Sequence, residues 1–165
     1  MTARSGRLWR PVVVAALAAL AVAVLGGLAT DLGTWYEALR KPAWQPPDWA
    51  FGPAWTLIFA LAAIAGVLAW RAAPNGAARE RILLLFAING FLNVLWSLLF
   101  FRLHRPDWAL IEVGLLWLSI VALIVGLAPH SRAASWLLVP YLLWVSFAAM
   151  LNLAVVRLNA PFGSA

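Results

Sequence analysis

Three polar residues recur at four-residue spacing inside a long apolar segment, at Asn89, Asn93 and Ser97. On a helix this spacing places all three side chains on one face. In a segment this apolar, amides and hydroxyls usually turn inward, where they either hydrogen-bond to neighbouring helices or contact a ligand. The spacing leaves both roles open.

A second helix face carries Tyr141, Trp144, Ala148 and Asn152, which follow one another at steps of three, four and four. The methyl group of Ala148 beside the large indole of Trp144 can leave a slot for a flat ligand, or it can be an ordinary packing notch. Trp55 also falls inside an apolar segment, and a buried indole N–H requires an acceptor. These two faces are the candidate binding surfaces of the chain.

Conventional catalytic and metal-binding patterns are missing from the sequence, which has no Cys, no phosphate loop and no nucleophile elbow. Both histidines, His104 and His130, fall in loops, so we do not expect them to ligate haem iron inside a bundle. Glu112 is the one charged side chain within an apolar span. It lies near the end of its span, and we expect it to snorkel to the membrane edge and pair with Arg102 or Arg105.

The composition excludes an ordinary water-soluble domain. Of 165 residues, 65% are hydrophobic and 11% charged, and the mean hydropathy is +0.90. The twelve Lys and Arg residues stand at the ends of apolar runs rather than in a dense block, which is typical of juxtamembrane anchors and disfavours nucleic-acid binding.

Charge patterning predicts an all-α integral membrane protein, with residues 1–165 forming a single bundle of five transmembrane helices. The predicted spans cover residues 11–30, 50–70, 82–101, 108–127 and 133–156. A long first loop, residues 31–49, separates the first two spans, and the other connections are short.

The first span has two interpretations. Arg4, Arg7 and Arg10 before an Ala-rich run also describe a secretory signal peptide. Small residues recur every four positions in the same run, at Ala15, Ala19, Ala23 and Gly27. This spacing lets two membrane helices approach closely, and it favours a retained span that packs against another helix.

The sides of the membrane are only weakly distinguished. The N-terminus and the second and fourth loops carry seven of the twelve basic residues, against five on the other side. This bias favours a cytoplasmic N-terminus. The richness in Ala and Arg suggests a bacterial cell membrane.

Depth along the helices brings the candidate residues together. At about 1.5 Å per residue, Trp55, Asn93 and Ala148 lie in the half of the bundle nearest the first loop. That loop contains Pro42, Pro46 and Pro47, which restrict the backbone and predict a stiff, extended cover.

Four ordered segments resemble the translocator protein family, also called tryptophan-rich sensory proteins or peripheral benzodiazepine receptors. They are WYEALRKPAWQPPDWAFGPAWTLIF from Trp35, NGFLNVLWSLLFF from Asn89, PDWALIE from Pro106 and VPYLLWVSFAAMLNLAVVRLN from Val139. The resemblance covers nearly the whole chain after Thr30.

This resemblance implies a five-helix bundle, usually a homodimer in the lipid bilayer, with a pocket beneath the first loop. The implied ligands are porphyrins such as protoporphyrin IX or haem, and isoquinoline or benzodiazepine compounds, with no cofactor required. Matching motifs give the implied ligand-binding residues Tyr36, Trp55, Asn93, Trp144, Ala148 and Leu151. The polar faces add Asn89, Ser97 and Asn152 as further pocket or packing residues. Cholesterol is disfavoured, because Leu153 stands where the animal sterol motif has Tyr.

Three functions follow from the resemblance. The first is a membrane sensor or binding protein for porphyrins that regulates tetrapyrrole handling or a stress response. The second is an enzyme that degrades porphyrin with light and oxygen, in which Trp55 and Trp144 would donate electrons. The third is a porphyrin or sterol transporter, which the lack of broken helices and internal repeats disfavours.

Overall fold

The computed structural model describes residues 2–162, with side chains from Trp9 onward. The described residues form helices and their connections, without a β-strand. The α-helices are α1 Thr2–Ala29, α2 Thr34–Ala38, α3 Phe51–Ala72, α4 Gly76–Ser97, α5 Pro106–Leu127, α6 Arg132–Leu137 and α7 Val139–Asn159. A π-helix, Leu98–Arg102, continues α4. The described helices include five segments long and apolar enough to cross a membrane, which confirms the predicted fold class.

Local sequence signals explain where several helices begin. The Asn75 side chain accepts a hydrogen bond from the backbone N–H of Ala78 and caps α4, and the Ser131 hydroxyl caps α6 in the same way. Pro106 opens α5 at a position where its missing N–H costs nothing.

The helices extend beyond the charge-free segments from which the spans were predicted. The apolar helical segments are Trp9–Ala29, Asp48–Ala72, Gly76–Arg102, Pro106–Leu127 and Arg132–Asn159. Charged residues such as Arg71, Glu80 and Arg157 therefore lie within terminal helical turns. The charge-based bounds ended too early because a long charged side chain can reach the interface from such a turn.

The fifth span has one irregular turn near its start, at Leu138, although the prediction treated it as one continuous helix. Helix α6 ends at Leu137, and α7 begins at Val139. Pro140 has no N–H to continue the helical hydrogen bonds, so the chain turns at Leu138, whose N–H bonds to Ser135 O at 3.1 Å. The Ser135 hydroxyl donates a hydrogen bond to Ile124 O, which links α6 to α5 beside this turn.

Helix α1 packs against α3 and α4. Ala15, Ala19 and Ala23 are half-buried on it, whereas Gly27 is exposed, with open space where a Cβ would stand. Gly26 turns inward instead, and a Cβ there would stand 4.0 Å from Asn93 Oδ1 and Ser97 Oγ. A strict four-residue repeat drifts around a helix of 3.6 residues per turn, which explains the shift. Packing of this stripe of small residues against a second copy of the chain stays a prediction.

Arg4 and Arg7, on which the signal-peptide interpretation rests, lie outside the residues whose side chains are described.

Packing differs between the two halves of the bundle. The half farther from the first loop is filled by a cluster of small and aliphatic residues from α3 to α7: Ala65, Ala69, Ala73, Ile82, Leu123, Leu127, Ala134 and Leu138. A second cluster around Ile120 and Val145 fills the middle. Toward the first loop, large aromatic side chains such as Phe100 and Phe101 replace the small ones. The cavity lies in this half.

The first loop is partly helical, which corrects the prediction of an extended cover at its two ends. Thr34–Ala38 form α2, and Asp48–Ala50 form a 3₁₀ turn that leads into α3. The prolines lie between these two short helices, where their fixed φ angles oppose helix formation. The loop therefore contains two short helical segments, and each positions side chains against the bundle beneath.

Candidate ligand-binding site

A cavity of about 590 Å³ lies beneath the first loop, among α1, α3, α4 and α7. Its volume falls within the range of about 300–1,000 Å³ that is usual for small-molecule sites. Its walls are largely aromatic and aliphatic, with a few polar groups. The lining residues are Ala23, Gly26, Gly27, Thr30, Leu32, Tyr36, Gln45, Asp48, Trp49, Phe51, Gly52, Trp55, Thr56, Phe59, Asn93, Trp96, Ser97, Phe100, Phe101, Trp144, Ala148, Leu151, Asn152 and Val155.

The structure brings together the six residues that the resemblance implied. Tyr36, Trp55, Asn93, Trp144, Ala148 and Leu151 all line this cavity. Of the three additional residues, Ser97 and Asn152 line it and Asn89 does not. Contact between any of these residues and a ligand stays a prediction.

Trp144 lines the cavity with its indole ring, but its N–H does not face the cavity space. Its Nε1 is buried and has no hydrogen-bond partner among the described residues. Phe51 and Phe147 hold the indole from two directions, each with its ring centroid 5.7 Å from that of Trp144. A buried N–H without an acceptor is costly, and a ligand in the cavity meets the ring of Trp144 rather than this N–H.

Trp55 contributes a second indole wall. It stacks on Phe59 with ring centroids 5.4 Å apart and meets Tyr141 edge to face at 6.1 Å. Phe59 lies one helical turn farther along α3, so this pair is set by the local helix, whereas the contact with Tyr141 depends on how α3 packs against α7. Trp55 is therefore held in place on two sides.

A buried hydrogen-bond chain joins the cavity to the centre of the bundle. Asn93 Nδ2 donates to Tyr141 Oη at 3.0 Å, and Tyr141 donates to Asn89 Oδ1 at 3.2 Å. Asn89 Nδ2 donates to Ser119 Oγ at 2.9 Å, and this hydroxyl donates to Leu116 O. Asn89 therefore has the interhelical role, whereas Asn93 both belongs to the chain and lines the cavity.

Asn152 also connects helices at the cavity wall. In the orientation that gives both amide atoms of Asn152 a partner, Nδ2 donates to Pro106 O at 2.9 Å and Oδ1 accepts from Leu110 N at 3.1 Å. The amide therefore fastens α7 to the first turn of α5. Its contribution to the site is mainly to position the wall that carries Ala148.

The roof contains a polar cluster that sequence reasoning missed. Tyr36 Oη donates to Asp48 Oδ1 at 3.0 Å, and Gln45 Nε2 lies 3.2 Å from both of these oxygens. Burial, reinforced by the neighbouring Asp48 carboxylate, raises the pKa of Tyr36 from 10.0 to about 12. The phenol therefore stays protonated and keeps donating to Asp48. Gln45 and Asp48 are three residues apart, a spacing that would place them on the same face of a helix. Because Pro46 and Pro47 lie between them, the sequence does not indicate a helix there.

The expectation for Glu112 is wrong. Its side chain is buried, and neither carboxyl oxygen has a hydrogen-bond partner among the described residues. The proposed partners are occupied elsewhere, because Arg105 pairs with Asp107 and Arg102 pairs with Asp31. Glu112 and Ser119 are seven residues, or two helical turns, apart, so both lie on the inward face of α5. Because this face points into the bundle, the Glu112 side chain does not reach the membrane edge.

A search of the described residues finds no group of three or more His, Cys, Asp or Glu that could hold a metal ion. His104 stacks on Trp35 outside the cavity, with ring centroids 4.2 Å apart. The chemistry available at the site is therefore that of aromatic surfaces, amides, hydroxyls and one carboxylate.

Five helices long and apolar enough to cross a membrane surround a roofed, largely apolar cavity, which defines a helical integral membrane protein. Comparison with known proteins identifies the family within this class. The model of the TspO/MBR family matches residues 13–158. The chain belongs to the TspO/MBR family.

Individual relatives agree along most of their length. The chain is 42% identical to the tryptophan-rich protein TspO of Archaeoglobus fulgidus over 147 residues, 87% of this chain and 94% of that protein. It is 35% identical to protein CrtK of Rhodobacter capsulatus over 141 residues, 86% and 88% of the two chains. It is 33% identical to the translocator protein of Homo sapiens over 127 residues, 76% and 75% of the two chains.

Proposed function

We propose that the cavity binds porphyrins, such as protoporphyrin IX or haem, and flat apolar compounds of the isoquinoline or benzodiazepine type. The protein would act as a membrane sensor that regulates tetrapyrrole handling or a stress response. The main support is the convergence of Tyr36, Trp55, Asn93, Trp144, Ala148 and Leu151 on one roofed cavity.

The shape and chemistry of the walls support a flat aromatic ligand. Trp55 and Trp144 offer broad ring surfaces, and Ala148 leaves space beside the second indole. The described lining contains no His, Met or Cys. Tyr36 lines the cavity and is of a type that can ligate haem iron, but its hydroxyl is bonded to Asp48. Ring contacts would therefore hold a tetrapyrrole, and free-base protoporphyrin fits the walls at least as well as haem.

Binding can be tested with the purified protein in nanodiscs. Protoporphyrin IX is expected to quench the tryptophan fluorescence saturably, with an accompanying shift in porphyrin absorbance. Trp144→Ala removes an aromatic wall of the cavity and should weaken binding about five- to tenfold, the value of a ring contact of about 1 kcal/mol. Trp136→Ala on the exposed surface is the control. Quenching that never saturates would rule out a defined site.

A second candidate is light- and oxygen-dependent porphyrin degradation. The observation that favours it is the presence of two indoles, Trp55 and Trp144, on the walls of one cavity. Illumination with oxygen should then yield a new pigment product, and Trp144→Phe should reduce its rate by more than it reduces porphyrin binding. Equal losses in rate and binding would favour a binding role alone.

A further inference from the structure

The electrical character of the cavity follows from its lining. Among the described residues that line it, Asp48 is the one charged side chain, and no Lys or Arg is present. Lys41 belongs to the same loop, but its Nζ lies 3.6 Å from the centre of the Tyr36 ring and is not part of the lining. Asp48 is exposed, so water partly screens its charge. An anionic group inside the cavity would meet this carboxylate with no Lys or Arg in the described lining to offset it.

The donors near Asp48 are already committed. The single proton of the Tyr36 hydroxyl points to Asp48 Oδ1, and Gln45 Nε2 is shared between these same two oxygens. A ligand carboxylate at the roof would have to displace Asp48 from these bonds. Deeper in the cavity, Asn93 Nδ2 is committed to Tyr141.

The Nε1 of Trp144 does not change this balance, because it is buried away from the cavity space although it has no hydrogen-bond partner among the described residues. A carboxylate loses its full solvation on entering an apolar site. The described lining offers it no cation in return.

We infer that Asp48 is a specificity-determining residue that makes the cavity favour neutral or cationic ligands over anionic ones. For tetrapyrroles, which rest on the proposed function above, the macrocycle would enter while any ionised carboxylates stay outside the lining. Esterified or otherwise neutral tetrapyrroles would bind more tightly than their dicarboxylic acids. The charge rule applies equally to smaller ligands.

The test compares two ligands on matched variants in zwitterionic nanodiscs at low ionic strength. The ligands are protoporphyrin IX, a dianion, and its neutral dimethyl ester. Asp48→Asn removes the charge but keeps an oxygen that can accept from Tyr36 and Gln45, so the roof should persist. Glu37→Gln is the control, because it removes an exposed charge from the same loop outside the lining. Comparing each ligand with itself across variants cancels its own partition into lipid.

Asp48→Asn should raise the affinity for the dianion about three- to tenfold, as expected for one partly screened charge, and change that of the ester less than about twofold. The gain for the dianion should shrink at high salt. Glu37→Gln should change neither affinity by more than about twofold. Equal changes for both ligands, no change for either, or the same gain with Glu37→Gln would each overturn the inference.

A second ligand pair separates this inference from the porphyrin proposal. If no variant binds either porphyrin, the porphyrin assignment fails, and the charge rule is decided with a neutral isoquinoline carboxamide and the corresponding carboxylic acid. A gain with Asp48→Asn that is confined to the acid would support the rule, and its absence would overturn it. Failure of both pairs to bind would overturn the ligand site and the charge rule together.

Discussion

Asn159, the last residue of α7, forms two hydrogen bonds with the backbone of Arg40 in the first loop. Arg40 N donates to Asn159 Oδ1, and Asn159 Nδ2 donates to Arg40 O, each at 2.8 Å. The Asn159 amide thus bonds to both the N–H and the C=O of one loop residue, as the backbone of a neighbouring β-strand would. It fastens the middle of the loop to the helix that carries Ala148 and Leu151.

Asn159→Ala should therefore loosen the first loop. Loss of two hydrogen bonds of about 1 kcal/mol each would increase the open population by up to about thirtyfold. Trypsin cleavage after Arg40 should accelerate accordingly, because proteolysis follows the open population when opening is fast. Asn75→Ala, which uncaps α4 at the other end of the bundle, is the matched control and should leave this rate unchanged. Equal cleavage of parent and Asn159→Ala would contradict the role of the pair.

Ala148→Thr should weaken binding of protoporphyrin or an isoquinoline ligand. The larger, branched side chain would enter the space beside Trp144, where overpacking costs about 1–3 kcal/mol, equal to roughly five- to over a hundredfold in affinity. Ala149→Thr is the comparison. Ala149 packs against the central core cluster and does not line the cavity, so its substitution should lower the melting temperature rather than the affinity. Unchanged affinity in Ala148→Thr would show that ligands do not approach this face.

Alkaline titration of the tyrosines should reveal the hydrogen bond between Tyr36 and Asp48. The chain has two tyrosines, and the signal that disappears in Tyr36→Phe belongs to Tyr36. Tyr36 should ionise at a pH of about 12 rather than 10.0. Its neutral form is favoured in the folded state, so the associated stabilisation is complete below pH 10 and is lost as the pH rises through 12. Asp48→Asn should return part of the shift, leaving the larger part that burial causes. Tyrosinate absorbance is the measurement, and an Asp48→Asn titration identical to that of the parent would refute the coupling.

Glu112→Met should stabilise the bundle. The substitution replaces a buried carboxyl group without hydrogen-bond partners by an apolar chain of similar length, which should add about 1–3 kcal/mol. Thermal unfolding in detergent measures this as a higher melting temperature. Glu80→Met on the exposed surface of α4 should change the stability by less than about 0.5 kcal/mol. A less stable Glu112→Met protein would mean that the carboxyl group has a stabilising role of its own.

Tyr141→Phe should destabilise the centre of the bundle without closing the cavity. Removing the hydroxyl leaves Asn93 Nδ2 and Asn89 Oδ1 without their partner, at a cost of about 1–2 kcal/mol. Ser146→Ala is a useful comparison, since it removes the acceptor of the Trp117 indole in a half-buried position and should cost less. The melting temperatures should rank accordingly, and the reverse order would show that the Asn–Tyr chain contributes little.

Several features of the fold could be predicted because they depend on local sequence. The number of spans and the long first loop follow from hydropathy, which is summed over neighbouring residues. Helical periodicity placed Asn93 and Ser97 on one face and Trp144 and Ala148 on another, and depth placed both faces in the half beneath the loop. All four line the cavity.

The tertiary structure decided the features that depend on how the helices rotate and pack. Periodicity allowed Gly27 to face a neighbour, but the rotation of α1 turns Gly26 inward instead. Glu112 lies close enough in sequence to the span end to reach the interface, yet the rotation of α5 buries it. The pairing of Arg40 with Asn159 joins residues 119 positions apart, and the Tyr36–Asp48 bond closes a proline-rich loop. Such contacts result from the simultaneous packing of several helices and a loop, and no local pattern encodes the angle at which each helix settles.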